Sequence, residues 1–184
     1  MSILLYAESA EGKFKKVALE LASYAKKVAD SIGTTVTALT VNATDVSELS
    51  KYGVDKVIKV NDSKLSGFSA KAYSNIIEQA AKKEGSKLVL LSSSTDSLYL
   101  APLVSVSLQA GFASNVIGLP VSTSPFQVKR TAFSNKAFNI TEINTDVKVI
   151  SLSKNSYGVV ENASTLKEED FNPSLADSDF GIKI

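Results

Sequence analysis

A run of hydroxyl-bearing residues follows a short apolar stretch near the middle of the chain. Residues Ser92 to Ser97 read Ser-Ser-Ser-Thr-Asp-Ser, and they lie between a strand-like segment and a helix-like segment. Such a loop can hold a phosphate group, because the first N–H groups of a helix and the helix dipole attract anions. Loops that do so usually contain glycine, but none occurs between Gly85 and Gly111.

The candidate ligands in this loop are Ser93, Ser94 and Thr95. A dissociation constant near 1 μM requires about 8 kcal/mol, whereas a helix dipole contributes only about 0.3–1 kcal/mol toward a nearby anion. The loop contains no Arg or Lys to supply the difference, and Asp96 would repel an anion. The sequence therefore predicts a weak crevice that connects a strand to a helix without holding a nucleotide tightly.

Residue types that carry most hydrolytic and metal chemistry are missing from the chain. It contains no Cys and no His, which excludes thiol nucleophiles, imidazole bases, Cys or His zinc sites and disulfides. Glu8 and Glu11 follow the first apolar run, but no His or ligand cluster lies near them, so we interpret both as loop acids. We predict no catalytic residue, no metal site and no independent enzyme activity.

Length and charge limit the partners of the protein. The chain has 184 residues, enough for one domain and a tail, with 20 Lys and Arg against 19 Asp and Glu, a net charge of +1. That balance gives no general attraction for nucleic acid or for an anionic membrane. The segment Met1 to Glu8 has no basic leader and is too short for a signal peptide or a membrane span, so we predict a cytoplasmic protein.

Strand-like and helix-like stretches alternate through the first half of the chain. The strand-like runs are 3–7, 35–41, 56–60 and 88–91, and the helix-like segments are 14–32, 45–52, 69–83 and the segment after the Ser92 loop. Gly33 and Gly85 follow two of these helices as terminating glycines. Repeated strand–helix units predict parallel strands with helices on both faces, a three-layer α/β/α sandwich.

The pattern changes after Gly111. Four strand-like runs at 113–121, 126–133, 137–143 and 147–152 are separated by short turn signals that leave no room for helices. We therefore expect a mostly parallel sheet that ends in antiparallel strands at its C-terminal end. Pro102 is expected to be either the first residue of its helix, where its missing N–H costs nothing, or a tolerated kink inside the helix. From Tyr157 onward the periodicity is lost, which predicts a poorly packed tail.

Several segments occur in a characteristic order and spacing over residues 1 to about 160. They are Ile3-Leu-Leu-Tyr-Ala-Glu8 with Gly12-Lys13, Gly53-Val-Asp-Lys-Val57, Leu88 to Gly111, Ser114-Asn115-Val116, Val128 to Phe138 and Val147-Lys-Val-Ile-Ser-Leu152. This ordered set resembles the amino-terminal domain of the electron-transfer flavoprotein α subunit. The tail from Glu169 to Leu175 and from Asp179 to Ile184 is similar to that family's connector to a second domain.

The resemblance implies a fold of the adenine-nucleotide α-hydrolase type over residues 1–156 and a linker over residues 157–184 that leads toward an absent FAD-binding domain. In the family the second domain binds FAD, and the partner β subunit binds AMP. The implied role is a scaffold, without a cofactor of its own, in a heterodimer that carries electrons from acyl-CoA or other dehydrogenases to the respiratory chain.

An alternative function and the role of three possible docking residues stay open at this point. An adenine-nucleotide-binding domain of the universal-stress-protein type would share the architecture, although the Gly-x-x-Gly motif of that class is absent. Arg130, Asn135 and Lys136 are candidate residues for docking a partner subunit. A solvated strand face is the simpler interpretation of Arg130, which is the only arginine of the chain.

Overall fold

The computed structural model describes residues 2–181, which form a ten-stranded sheet with helices on both faces. Its strands are β1 (Ser2–Tyr6), β4 (Thr35–Val41), β5 (Lys56–Val60), β6 (Leu88–Ser92), β7 (Gly111–Val116), β8 (Ser122–Thr123), β9 (Phe126–Ala132), β10 (Ala137–Glu142), β11 (Lys148–Leu152) and β12 (Lys167–Asp170). They run in the order β10-β9-β7-β11-β6-β1-β4-β5-β12, and β8 pairs with β9. A separate small hairpin joins β2 (Ser9–Ala10) to β3 (Lys13–Phe14).

Three α-helices form the outer layers. They are α1 (Lys16–Ile32), α2 (Ala70–Glu84) and α3 (Thr95–Ser107), and short 3-10 turns span Ser47–Tyr52, Ser63–Leu65 and Asp177–Phe180. In β1, Ile3 and Leu5 pack into a core with α1, whereas Leu4 and Tyr6 pack into a second core with α2 and α3. Because successive strand side chains point to opposite faces, a strand covered on both sides is apolar throughout. The three-layer α/β/α fold is therefore confirmed.

Local sequence signals set most helix ends. The C-terminal residues of α1 and α2 are followed by Gly33 and Gly85, both left-handed with φ of 69° and 60°, as terminating glycines usually are. The helix after the hydroxyl loop begins at Thr95, because the Ser94 side chain accepts the N–H of Ser97. Of the two positions expected for Pro102, the structure shows the one inside the helix, because the cap at Ser94 starts α3 seven residues before it, at Thr95.

The strands after Gly111 are only partly antiparallel. As expected, β8, β9 and β10 form antiparallel pairs. In contrast, β11 inserts between β6 and β7 and runs parallel to both. Four of the five β11 residues are buried, because a central strand has a neighbouring strand at each edge and is covered on both faces. Hydrophobic periodicity identifies such a strand but does not specify its neighbours.

Residues 153–181 wrap around the domain, which differs from the expected poorly packed tail. Tyr157 and Leu166 pack against the core on the α1 side, and β12 then extends the sheet beside β5. Phe171 and Phe180 pack against the core on the α2 side. Isolated apolar residues spaced along a polar segment give no periodic signal, yet each fills a separate site on the domain surface. The assignment of residues 157–184 as an interdomain connector stays a prediction, and residues 182–184 lie outside the described residues.

A buried carboxylate fixes the start of this wrapping segment. Glu20 on α1 is 4% exposed, and its carboxylate accepts the backbone N–H groups of Asn155, Tyr157 and Gly158, each at 2.9 Å. Burial raises the pKa of Glu20, but these N–H groups outweigh burial and hold the pKa below its ordinary value. Nearby, Ser23 Oγ accepts the N–H of Val160 at 3.0 Å. Two polar side chains of α1 therefore replace the hydrogen bonds that this irregular backbone would otherwise make with water.

Candidate functional site: the carboxyl-edge crevice

The hydroxyl loop lies where β1 and β6 end, next to the N-terminus of α3. Open parallel sheets form ligand crevices outside the carboxyl ends of such neighbouring strands. Here a cavity of about 330 Å³ is lined by Glu8, Lys15, Lys16, Ser94, Asp96 and Lys154, among others. The structure thus brings Ser94 and Thr95 to the crevice where the sequence placed them.

The crevice already contains an anion, the side chain of Glu8. This residue lies two positions after the end of β1 and is only 3% exposed. Its Oε1 accepts hydrogen bonds from the hydroxyls of Ser92 and of Ser97, the latter at 3.3 Å. Its Oε2 receives the ammonium group of Lys15 at 3.2 Å. Two hydroxyls and one of the three lysines at the crevice are therefore bound to a carboxylate of the same chain.

The backbone N–H groups of Ser93 and Ser94 are also used internally. The N–H of Ser93 donates to the carbonyl oxygen of Leu152 at 2.8 Å, and the N–H of Ser94 donates to that of Ser92 at 2.9 Å. The Ser93 hydroxyl donates to Ser151 Oγ at 3.2 Å, while Ser94 Oγ accepts the cap hydrogen bond. A nucleotide phosphate bound here would have to displace several of these contacts, at about 1 kcal/mol or more for each one left unpaired.

Buried tyrosines below the crevice are sensitive to its negative charge. Burial, then Tyr73, Glu8 and Asp96, raise the pKa of Tyr6 well above its ordinary value. Tyr73 stands edge-on to Tyr6 with ring centroids 6.0 Å apart. Burial also raises the pKa of Tyr73, so both phenols stay neutral at ordinary pH and neither offers a base.

The structure corrects our interpretation of Glu8 as a loop acid. Its side chain is buried at the centre of a hydrogen-bonded network. The signal available in the sequence was its position immediately after a fully buried strand and opposite a hydroxyl-rich loop that must end at the same sheet edge. Glu20 was not identified from the sequence either, although it lies on the buried stripe of α1 beside Leu21.

The three docking candidates do not form one cluster. Arg130 lies in β9 opposite Asn139 of β10, whereas Asn135 and Lys136 lie in the exposed turn that joins these strands. Arg130 is half-buried: its Nη2 donates to Ser114 Oγ at 3.4 Å, and its Nε is shielded without a hydrogen-bond partner among residues 2–181. This environment differs from the solvated strand face that the sequence favoured.

Residues 2–181 contain neither a membrane-spanning helix nor a cluster of metal ligands. Within residues 2–181 no helix has both the length and the apolar composition needed to cross a lipid bilayer. The same residues contain no group of three or more His, Cys, Asp or Glu side chains arranged as metal ligands.

Comparison with known proteins gives a family match over most of the chain. Residues 3–174 match the family described as electron transfer flavoprotein domain. The electron transfer flavoprotein subunit alpha of Thermoanaerobacterium thermosaccharolyticum is 30% identical over 123 residues, which cover 65% of this chain and 37% of that protein. Two further relatives are the Acetobacterium woodii lactate dehydrogenase (NAD(+),ferredoxin) subunit LctC and the Clostridium saccharobutylicum protein FixB. The LctC subunit is 29% identical over 78% of this chain and 35% of its own length. Protein FixB is 26% identical over 65% of this chain and 36% of its own length. The chain thus spans about a third of the length of the curated relatives it matches.

Proposed function

This chain belongs to the electron transfer flavoprotein domain family, and from that premise we propose that it is the amino-terminal scaffold domain of an α-type subunit, without catalytic activity or a cofactor of its own. One observation supports the proposal that this domain has no cofactor of its own. At the carboxyl-edge crevice, where a nucleotide would bind in this architecture, Glu8 already engages Ser92, Ser97 and Lys15.

The flavin belongs to a different part of the assembly in this proposal. Residues 1–156 form the scaffold, and residues 157–184 lead toward a second domain that binds FAD. A β-type subunit is the partner and carries AMP, and dehydrogenases supply electrons to the complete complex. The wrapping segment supports a connecting role, because its contacts with α1, β5 and α2 would transmit the orientation of the scaffold to whatever follows.

Arg130 is the most informative docking candidate for the β-type subunit. A guanidinium group has five N–H donors, and the described structure gives this one a single hydrogen bond at 3.4 Å. A carboxylate from a partner would satisfy these donors, because paired planar groups of this kind form short, charge-assisted hydrogen bonds. Asn135 and Lys136 lie further along the same hairpin and extend the proposed contact.

The absorbance spectrum of the purified chain tests the scaffold proposal. We expect no flavin absorbance in the visible region, and no FAD or AMP in the supernatant after heat denaturation. A flavin that remains at one equivalent per chain after gel filtration would contradict the proposal. Adding free FAD before a second gel filtration separates a chain that lost its cofactor during purification from a chain that never binds one.

A further inference from the structure

The wrapping segment, residues 153–181, is held to the domain by two kinds of contact. Its first part, residues 153–166, contains one lysine and one glutamate. The buried carboxylate of Glu20 accepts hydrogen bonds from its backbone, and the N–H of Asn162 donates to a backbone carbonyl oxygen at 2.8 Å. Dissolved salt screens such shielded contacts only weakly.

The strand β12 lies in the second part of this segment and is held by ion pairs. Its three carboxylates, at positions 168, 169 and 170, pair with lysines of β5 and α2. The pairs are Lys56–Glu169 at 2.7 Å, Lys59–Glu168 at 3.0 Å, Lys59–Asp170 at 3.5 Å and Lys83–Glu169. A single ion pair at the surface contributes little, but here two lysines share Glu169 and two carboxylates share Lys59, so the pairs form two small networks.

The other contacts of β12 are few. The strand is four residues long, contains no apolar side chain and pairs with one neighbour, because it forms an edge of the sheet. The N–H groups of Lys167 and Phe171 donate to the carbonyl oxygens of Asp55 and Lys59 at 3.0 and 2.8 Å. Phe171 packs against the α2-side core but is only partly buried. The ion pairs are therefore a main part of what keeps β12 on the sheet.

The neighbouring strand β5 is suited to form the edge of the sheet by itself. Val57 and Ile58 are buried in the two cores, so the helix layers cover them whether or not β12 is present. Lys56 and Lys59 carry charges along the same strand, and lysine on an edge strand prevents pairing with other chains. Separation of β12 would thus expose backbone groups of β5 but neither of these two core side chains.

We propose that β12 is a detachable edge strand, which separates from β5 as the ionic strength rises while residues 153–166 and the rest of the sheet stay in place. The Debye length falls from about 10 Å at 0.1 M salt to about 3 Å at 1 M, close to the ion-pair distances. Hydrogen bonds from Lys56 and Lys83 lower the pKa of Glu169 to about 2, so its ion pairs stay charged near neutral pH. Ionic strength therefore controls the attachment in that pH range. The inference is independent of the proposed electron-transfer function.

Amide hydrogen exchange measured by NMR in about 0.1 M and about 1 M NaCl tests the separation. Each rate is divided by that of an unstructured peptide with the same sequence at the same salt concentration, which removes the effect of salt on exchange itself. The N–H groups of Lys167 and Phe171 should exchange about tenfold faster at the higher salt concentration. Those of Asn155 and Tyr157, which donate to Glu20, should change by less than about twofold.

A charge variant and a matched control identify the cause. Glu169→Gln removes the carboxylate that two lysines share, so the two β12 N–H groups should exchange about tenfold faster than in the unchanged chain at low salt. Asp177→Asn removes one charge from the same segment, but Asp177 forms no ion pair within residues 2–181, so these rates should change by less than about twofold. Circular dichroism checks that both variants are folded.

Three results would overturn the proposal. They are equal exchange of β12 at both salt concentrations, an equal salt response of the N–H groups bound to Glu20, and exchange in Glu169→Gln no faster than in Asp177→Asn. The first and third would show that backbone pairing and Phe171 hold β12 on the sheet. The second would show that salt loosens the whole wrapping segment.

Discussion

Glu8 determines the chemistry of the crevice through the three side chains it holds. Replacing it by Gln changes one oxygen into an NH₂ donor, which must face either the serine hydroxyls or the ammonium group of Lys15. We expect Glu8→Gln to lower the free energy of unfolding by about 1–3 kcal/mol, measured by urea denaturation at pH 7.

Glu11→Gln is the matched control for this substitution. Glu11 is exposed and lies only three residues further along the chain, so its replacement should change stability by less than about 0.5 kcal/mol. Equal stability of the two variants would show that the Glu8 network does not stabilise the fold.

The second buried carboxylate, Glu20, should make the free energy of unfolding depend on pH in the acidic range. Its pKa is lower in the folded chain than its ordinary value of 4.5, because the N–H groups of residues 155–158 outweigh burial. A lowered pKa stabilises the fold above the unfolded-state pKa, and this contribution disappears as the pH falls through the folded-state pKa.

We therefore expect Glu20→Gln to reduce the free energy of unfolding by about 1–3 kcal/mol at pH 7, and by progressively less below about pH 4.5. Urea denaturation at several pH values measures this difference. Glu161→Gln, at an exposed position near the same segment, should show no comparable trend. A Glu20→Gln effect of constant size from pH 7 to pH 3 would contradict the assignment.

At the scale of elements, the segment that wraps the domain is a structural part of it. Phe171, which directly follows β12, packs against the α2-side core, with Lys83 Nζ 5.1 Å from the centre of its ring. We expect Phe171→Ala to lower the free energy of unfolding by about 1–3 kcal/mol because the ring is only half-buried. Phe133→Ala, at a highly exposed position, should be nearly neutral. If both variants were equally stable, the packing of this segment would contribute nothing to the fold.

At the scale of the whole molecule, the fold is retained while a carboxylate of the same chain, Glu8, lines its usual ligand crevice. Calorimetric titration with AMP or ATP should show no binding tighter than about 0.1 mM, equivalent to about 5.5 kcal/mol. The reason is that the Ser93 and Ser94 N–H groups are already bonded, and that Glu8 and Asp96 offset two of the three lysines that line the crevice. Saturable one-to-one binding in the micromolar range would instead support an adenine-nucleotide-binding function.

The sequence determined the elements of this protein through local physical constraints. Apolar runs covered on both faces identified β1, β4, β5 and β6, and the bounds of β4 and β5 were correct to the residue. Glycines that tolerate positive φ located the ends of α1 and α2, because few other residues adopt that conformation at low cost. The missing residue types limited the chemistry, and an ordered set of segments indicated the family.

Only the tertiary structure decided what lies next to what. The insertion of β11 between β6 and β7, the burial of Glu8 and Glu20, and the pairing of β12 with β5 all depend on contacts between residues far apart in the chain. Periodicity reports which face of an element is buried, but it does not contain the identity of the element that buries it. A carboxylate at a strand end therefore looks the same in the sequence whether it meets water or, as Glu8 does, two serines and a lysine.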